Sequence, residues 1–138
     1  MLDIEKLKKA DVISRRMYLM DYMSRDMGQD VYYIFGLLNM YNVKNRGKWF
    51  WQKATFTGVL KDDFEKFNNY MDKFVNQLKS FDEDSIMDHL KGARELLDKL
   101  VKNLETNLMV DRETDAMSVR AYVDENMRGL IEQSLSRF

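Results

Sequence analysis

Residues 82–104, DEDSIMDHLKGARELLDKLVKNL, decide the fold. Ile86, Leu90, Ala93, Leu97, Leu100 and Leu104 recur at alternating steps of four and three. This near-heptad rhythm draws one apolar stripe along a helix. Asp82 or Asp84 supplies the N-cap. Upstream, Phe64, Phe67, Met71, Phe74 and Leu78 follow the same rhythm and predict an amphipathic helix over about 61–79. Asp62 and Asp63 lie where a helix N-terminus favours negative charge. Residues 30–43 are apolar on most sides (Val31, Ile34, Leu37, Leu38, Tyr41), with Asp30 as N-cap, and read as a central helix.

The two ends of the chain complete the pattern. Over residues 3–27, Ile13, Met17, Met20 and Met27 share one helical face, and Gly28 offers a stop. After a polar link at 110–113, Thr114 reads as an N-cap. Val119, Val123, Met127, Leu130 and Ile131 then mark a last helix to about Ser136. The expectation is an all-α fold: an antiparallel bundle of about five helices, as a four-helix core plus one extra or split helix, in a single domain over 1–138. A short hairpin or irregular segment is expected near 45–58, because Thr55, Phe56 and Thr57 before Gly58 are strand-like. The near-heptad seam is also compatible with a homodimer through an apolar helix face.

Composition supports this reading. With 138 residues, 45% hydrophobic and 33% charged, the chain can bury a core. It has no proline and only six glycines, so few residues break helices. Without cysteine there is no disulfide, thiolate metal site or cysteine nucleophile, which fits a reducing compartment; a cytoplasmic location is expected. The N-terminus carries no apolar signal core, and no run of 18 apolar residues occurs.

One segment departs from the rest. Between Asp30 and Asp62 there is no acidic residue, while Lys44, Arg46, Lys48, Lys53 and Lys61 contribute five positive charges. Against a net charge of −1, that leaves the remainder of the chain at minus six. The interval also holds Tyr32, Tyr33, Phe35, Tyr41, Trp49, Phe50, Trp51 and Phe56. Neighbours in a regular element point in different directions, so Trp49, Phe50 and Trp51 cannot all face one core. Three partner classes suit such a surface. Protein partners use Trp, Tyr and Arg as hot spots. Single-stranded nucleic acid stacks on indoles while cations neutralise phosphates. Membrane interfaces accept tryptophan beside lysine. The plain alternative is that the aromatics plug one end of the bundle while Lys48 and Lys53 face water. Met17, Met20, Met23 and Met27 invite the same comparison: core filling, with an exposed remnant as a second docking face.

Catalytic chemistry is sparse. His89 is the only histidine, and beside Asp88 and Lys91 it is expected to face solvent. Asp82, Glu83 and Asp84 lack the glycine and final glutamate of a calcium loop. No Glu-x-x-His pair or glycine-rich phosphate loop is present. Asp62, Asp63 and Glu65 on one helix, with Glu95 and Asp98 three apart on the next, form a pattern that resembles the acidic helices of all-α nucleotide pyrophosphatases. That resemblance implies carboxylates holding magnesium inside the bundle. Capping by Asp62 and Asp63, and a solvated face for Glu95 and Asp98, account for the same residues.

These observations point to a non-enzymatic protein-interaction or assembly protein without a cofactor or metal. Its expected partner-binding residues are Lys44, Arg46, Lys48, Trp49, Phe50, Trp51 and Lys53. Nucleic-acid binding through the same residues is the alternative, and a metal-dependent pyrophosphatase-like enzyme the minor one.

Overall fold

A computed structural model of the protein describes residues 2–45 and 59–137. Among them it contains seven α-helices and one 3-10 turn, with no strand: α1 (Ile4–Lys9), α2 (Val12–Asp26), α3 (Val31–Asn45), α4 (Val59–Gln77), the 3-10 turn Leu78–Ser80, α5 (Glu83–Leu108), α6 (Arg112–Arg120) and α7 (Glu125–Ser136). The fold is an all-α antiparallel bundle, but the expected five helices become seven because the first and last are each split. Asp11 ends the first stretch by accepting a hydrogen bond from the Ser14 amide at 2.8 Å, which starts α2. Asp124 does the same with Met127, also at 2.8 Å, and starts α7. Nor does Thr114 cap the last stretch: Asp111 takes the amides of Glu113 and Thr114 and opens α6. Asp3, Asp30 and Asp82 cap α1, α3 and α5 through the amides of Lys6, Tyr33 and Ser85. The hairpin expected near 45–58 concerns residues outside those described, apart from Asn45, which ends α3.

Helix α2 stops in a glycine-dependent turn. Gly28 has φ +72°, its amide bonds to Arg25 O, and the Gln29 amide reaches back to Ser24 O at 2.8 Å. Helix α5 ends in the same pattern, with Met109 at φ 56° and the Val110 amide on Glu105 O at 2.9 Å. A left-handed conformation costs a side-chain-bearing residue about 1–2 kcal/mol.

Packing of α2 on α3, α3 on α5, α5 on α4 and α4 on α2 closes a four-membered ring; α6 covers α3, α7 covers α2, and α1 folds onto α2. The stripes Ile86, Leu90, Ala93, Leu97, Leu100, Leu104 and Phe64, Phe67, Met71, Phe74, Leu78 are all buried, so the α5 seam lies inside one chain. Asp63, early in α4, pairs with Lys99 late in α5, whereas Tyr70 meets the His89 carbonyl, so α4 and α5 are antiparallel. Tyr33 in the first turn of α3 and Leu60 in the first turn of α4 both adjoin the end of α5. Helices α3 and α4 therefore run the same way. The end of α3 and the start of α4 lie at opposite ends of the bundle, the arrangement of a four-helix topology with one long crossover.

Two close contacts set the geometry. Arg15, only 6% exposed, donates from Nε to Leu7 O (3.1 Å), from Nη1 to Val75 O (2.8 Å) and from Nη2 to Lys8 O (2.9 Å). It thereby adds donors to carbonyls in the last turns of α1 and α4, of which Leu7 O also accepts from the Ala10 amide at 3.3 Å. On the other side of the bundle, a Cβ at Gly36 of α3 would overlap the Val119 carbonyl of α6. Asn39, one turn on, donates to Tyr122 O, just past the end of α6.

Replacing Arg15 by Met removes a charged donor from three carbonyls, and hydrogen bonds to charged groups contribute about 1.5–3 kcal/mol each. Arg15→Met is expected to lower unfolding stability by roughly 3 kcal/mol or more, read as a reduced urea midpoint at unchanged slope. Gly36→Ala is expected to cost roughly 1–3 kcal/mol in the same assay, because α6 must move away from α3.

Candidate functional site

Of the residues expected to bind a partner, only Lys44 lies among those described. It is exposed in the last turn of α3, after Val43 at 52% exposure. Arg46, Lys48, Trp49, Phe50, Trp51 and Lys53 lie outside the described residues. Lys61, the last cation of the basic interval, is exposed near the start of α4, at the far end of the bundle from Lys44. The two lysines do not share a patch.

The acidic constellation is distributed into local pairs. Asp63 lies 3.3 Å from Lys99 Nζ and accepts from Asn103, while Asp98 pairs with Lys102 at 2.9 Å on its own helix. Asp62, Glu65 and Glu95 are exposed. Among the described residues, no three His, Cys, Asp or Glu side chains come together as a metal site. His89 is not simply solvent-facing: it is half-buried, its ring stacks on Phe81 at 4.5 Å between centroids, and Nδ1 lies 2.8 Å from Ser85 O. Across from it, the Tyr70 hydroxyl packs so closely on Gly92 that a Cβ there would overlap it.

The methionine helix forms a feature that periodicity alone did not show. Met17, Met20 and Met23 are buried, including Met23, which lies off the main stripe. Ile13 was expected on the buried face but is 57% exposed, and Val12 is 46% exposed. Both stand at the mouth of an apolar cavity of about 270 Å³ between α2, α3 and α7, walled by Met17, Met20, Phe35 and Leu130. Among the described residues, Arg16 is the one charged residue in its lining. Its Nη1 donates to Asp72 at 2.6 Å and its Nη2 to Asn68, while the buried Nε has no hydrogen-bond partner. Burial pushes the guanidinium below the usual arginine value, and Asp72 pulls it back up.

A second polar centre joins α3, α5 and α6. Tyr33 donates to Glu105 at 2.5 Å, and Arg112 grips Glu105 with Nε at 3.1 Å and Nη2 at 3.0 Å. The Gln29 amide, oriented with its oxygen toward Arg112, accepts from Nη2 at 2.7 Å and Nη1 at 2.8 Å. Beside this network lies a wide cleft of about 790 Å³, where Met109 and Val110 sit among Lys102, Asp111 and Glu113. Burial, reinforced by the hydrogen bond to Glu105 and its negative charge, pushes the Tyr33 phenol well above the ordinary tyrosine range. The hydrogen bond from Arg112 to Glu105 raises Arg112. With every member engaged, the network ties three helices together.

No family model matches the chain, and it has no match among curated proteins or solved structures. No helix among the described residues is long and apolar enough to cross a membrane.

The raised Tyr33 value gives a pH test. Above about pH 10, where a free tyrosine loses its proton, the unfolded chain binds fewer protons than the folded one, so stability falls as pH rises. Tyr33→Phe is expected to flatten the decline in urea midpoint between pH 9 and 11 (roughly the span around the free tyrosine value). An unchanged slope would show that Tyr33 ionises freely in the fold.

Proposed function

We propose that the chain is a non-enzymatic protein-binding or assembly protein whose specificity lies in residues 44–53. The contact set is Lys44, Arg46, Lys48, Trp49, Phe50, Trp51 and Lys53. The observation that supports this reading is the way α3 ends. The helix is buried along most of its length through Asn42, and then Val43 and Lys44 open to solvent. From there the chain continues into residues 45–53, which hold Arg46, Lys48, Trp49, Phe50, Trp51 and Lys53 and no acidic residue. Cations beside tryptophans combine the side chains that dominate protein–protein hot spots. The clustered positive charge favours nucleic acid as the second reading, through phosphate neutralisation and base stacking.

Both tryptophans lie in this segment, so their emission and their removal test it directly. Trp49→Ala and Trp51→Ala are expected to leave the urea midpoint unchanged. Each is expected to weaken capture of a cross-linked protein partner by about 30-fold or more, the effect of losing a hot spot worth about 2 kcal/mol. If neutralising Lys44, Arg46, Lys48 and Lys53 instead abolishes a salt-sensitive quenching by single-stranded DNA or RNA, the nucleic-acid reading replaces this one. A loss of about 3–5 kcal/mol in folding stability from either tryptophan substitution assigns that residue to the core and removes it from the contact set.

A further inference from the structure

Helix α6 leaves α5 through residues 109–111, and that joint lacks the residue type its backbone favours. Met109 has φ 56°, in the left-handed region where glycine serves at the end of α2 and where a side chain is unfavourable. Its side chain is 91% exposed, so its own packing does little to offset that conformation. The local sequence otherwise permits the helix to continue, since neither glycine nor proline occurs between Gly92 and Gly129. What opposes continuation is the cap that Asp111 places on the Glu113 and Thr114 amides.

Beyond the joint, α6 and α7 dock on helices far from α5 in sequence. Helix α6 runs back along α3, with Arg112 bonded to Gln29 and Tyr122 O taken by Asn39, while α7 lies on α2, where Arg137 meets Asp11. The ion pair of Arg112 with Glu105, at 3.0 Å, ties them back to α5. Parting the α3–α6 seam returns polar groups to water, because Asn39 Oδ1 and Arg120 Nε are buried there without hydrogen bonds. A helix running straight through 109–111 would span residues 83–120 and carry α6 and α7 past the end of their own bundle. The vacated face on α2 and α3 then fits one occupant, the α6–α7 pair of a second copy, since every contact that docks the pair within one chain forms again between two.

We propose that two copies of this chain exchange their α6–α7 pairs by straightening residues 109–111, so that Glu105 of each copy pairs with Arg112 of the other. The exchange rests on the joint and the C-terminal helices and does not depend on the role proposed for residues 44–53.

The test concentrates the full-length protein, separates monomer from dimer by size, determines their masses by light scattering and records backbone NMR shifts of each. The expected result is a dimer whose residues 109–111 give helical Cα shifts, beside a monomer in which Met109 keeps its left-handed ones. Two substitutions at exposed positions act in opposite directions. Met109→Gly suits the left-handed joint and weakens a continuous helix, and is expected to lower the dimerisation constant at least ~10-fold. Asp111→Ala removes the cap and favours the continuous helix, and is expected to raise that constant at least ~10-fold. A dimer in which Met109 stays left-handed would be a side-by-side association and would overturn the exchange. So would a dimerisation constant that does not move in these opposite directions, or the absence of any dimer from both the unsubstituted chain and Asp111→Ala.

Discussion

One guanidinium does more to define this bundle than any apolar pair. Arg15 enters the interior from the first turn of α2, and its donors reach main-chain carbonyls of α1 and α4. A helix end left inside a protein carries carbonyls that its own helix cannot satisfy, and burying them without donors opposes folding. Two such ends converge near the start of α2, and a side chain with five N–H donors in a rigid fork can serve both. The negative ends of the helix dipoles also favour a cation there. This explains how arginine, rarely so deeply buried, is tolerated at that place. It also fixes where α1 turns back and where α4 stops. Arg16, the next residue, points to the side of α4, where Asp72 and Asn68 meet it. Consecutive positions on a helix differ by about 100°, so Arg15 bridges α1 to a main-chain carbonyl of α4 while Arg16 meets α4 side chains, and of the two only Arg16 lines the α2–α3–α7 cavity.

Aspartate caps give the chain its segmentation. Asp3, Asp11, Asp30, Asp82, Asp111 and Asp124 each accept an amide at the start of a helix. The cap at Asp11 is tied further: its carboxylate also bonds Ser14 Oγ and Arg137, which joins the start of α2 to the end of α7. The Ser14 amide and hydroxyl, with the Arg137 charge, hold the Asp11 carboxyl below its ordinary range, against the pull of desolvation. The cap therefore adds stability at neutral pH and loses it as pH falls through that lowered value.

The long stripes were legible because burial demands them. Each apolar position named on the seams of α4 and α5 is buried, because packing on a neighbouring helix removes such a stripe from water. The breaks were less legible. Apolar periodicity continues in phase through Asp124, and Asp11 lies inside the stretch 3–27, so each stretch reads as one helix where the chain forms two, the competing signal being a single capping side chain. Asp111, not Thr114, carries the cap and takes the Glu113 and Thr114 amides, so α6 opens earlier than a Thr114 cap would place it. Ile13 shows the limit of the stripe itself: period places it on the face of Met17 and Met20, but that face widens into a cavity and leaves Ile13 at the mouth. Periodicity assigns a direction to a side chain without saying whether anything fills the space it faces. The cavity, like the Tyr33–Glu105–Arg112–Gln29 network, depends on residues brought from distant parts of the chain. No local pattern announces such a meeting.

Helix α3 raises a problem that amphipathicity cannot solve. It is apolar on most sides, so no polar face sets its rotation among α2, α5 and α6. The constraint comes from a short row at spacing three: Gly36, Asn39 and Asn42. Gly36 lets the Val119 carbonyl approach to a distance that any Cβ would forbid. Asn39 then donates to the Tyr122 carbonyl, which is free because α6 has already ended. Two backbone groups three residues apart, Val119 in α6 and Tyr122 just past its end, are thus matched by two positions three apart on α3. Rotating α3 by one position would present a Cβ to Val119 and take the amide away from Tyr122. Asn42 continues the row, fully buried, with neither amide atom hydrogen-bonded, at a cost of about 1–3 kcal/mol. Only the first two members of the row contribute to orientation, and the third is a burden that the surrounding apolar contacts of α3 must offset. The rotation of the most apolar helix therefore rests on its few residues that are not apolar.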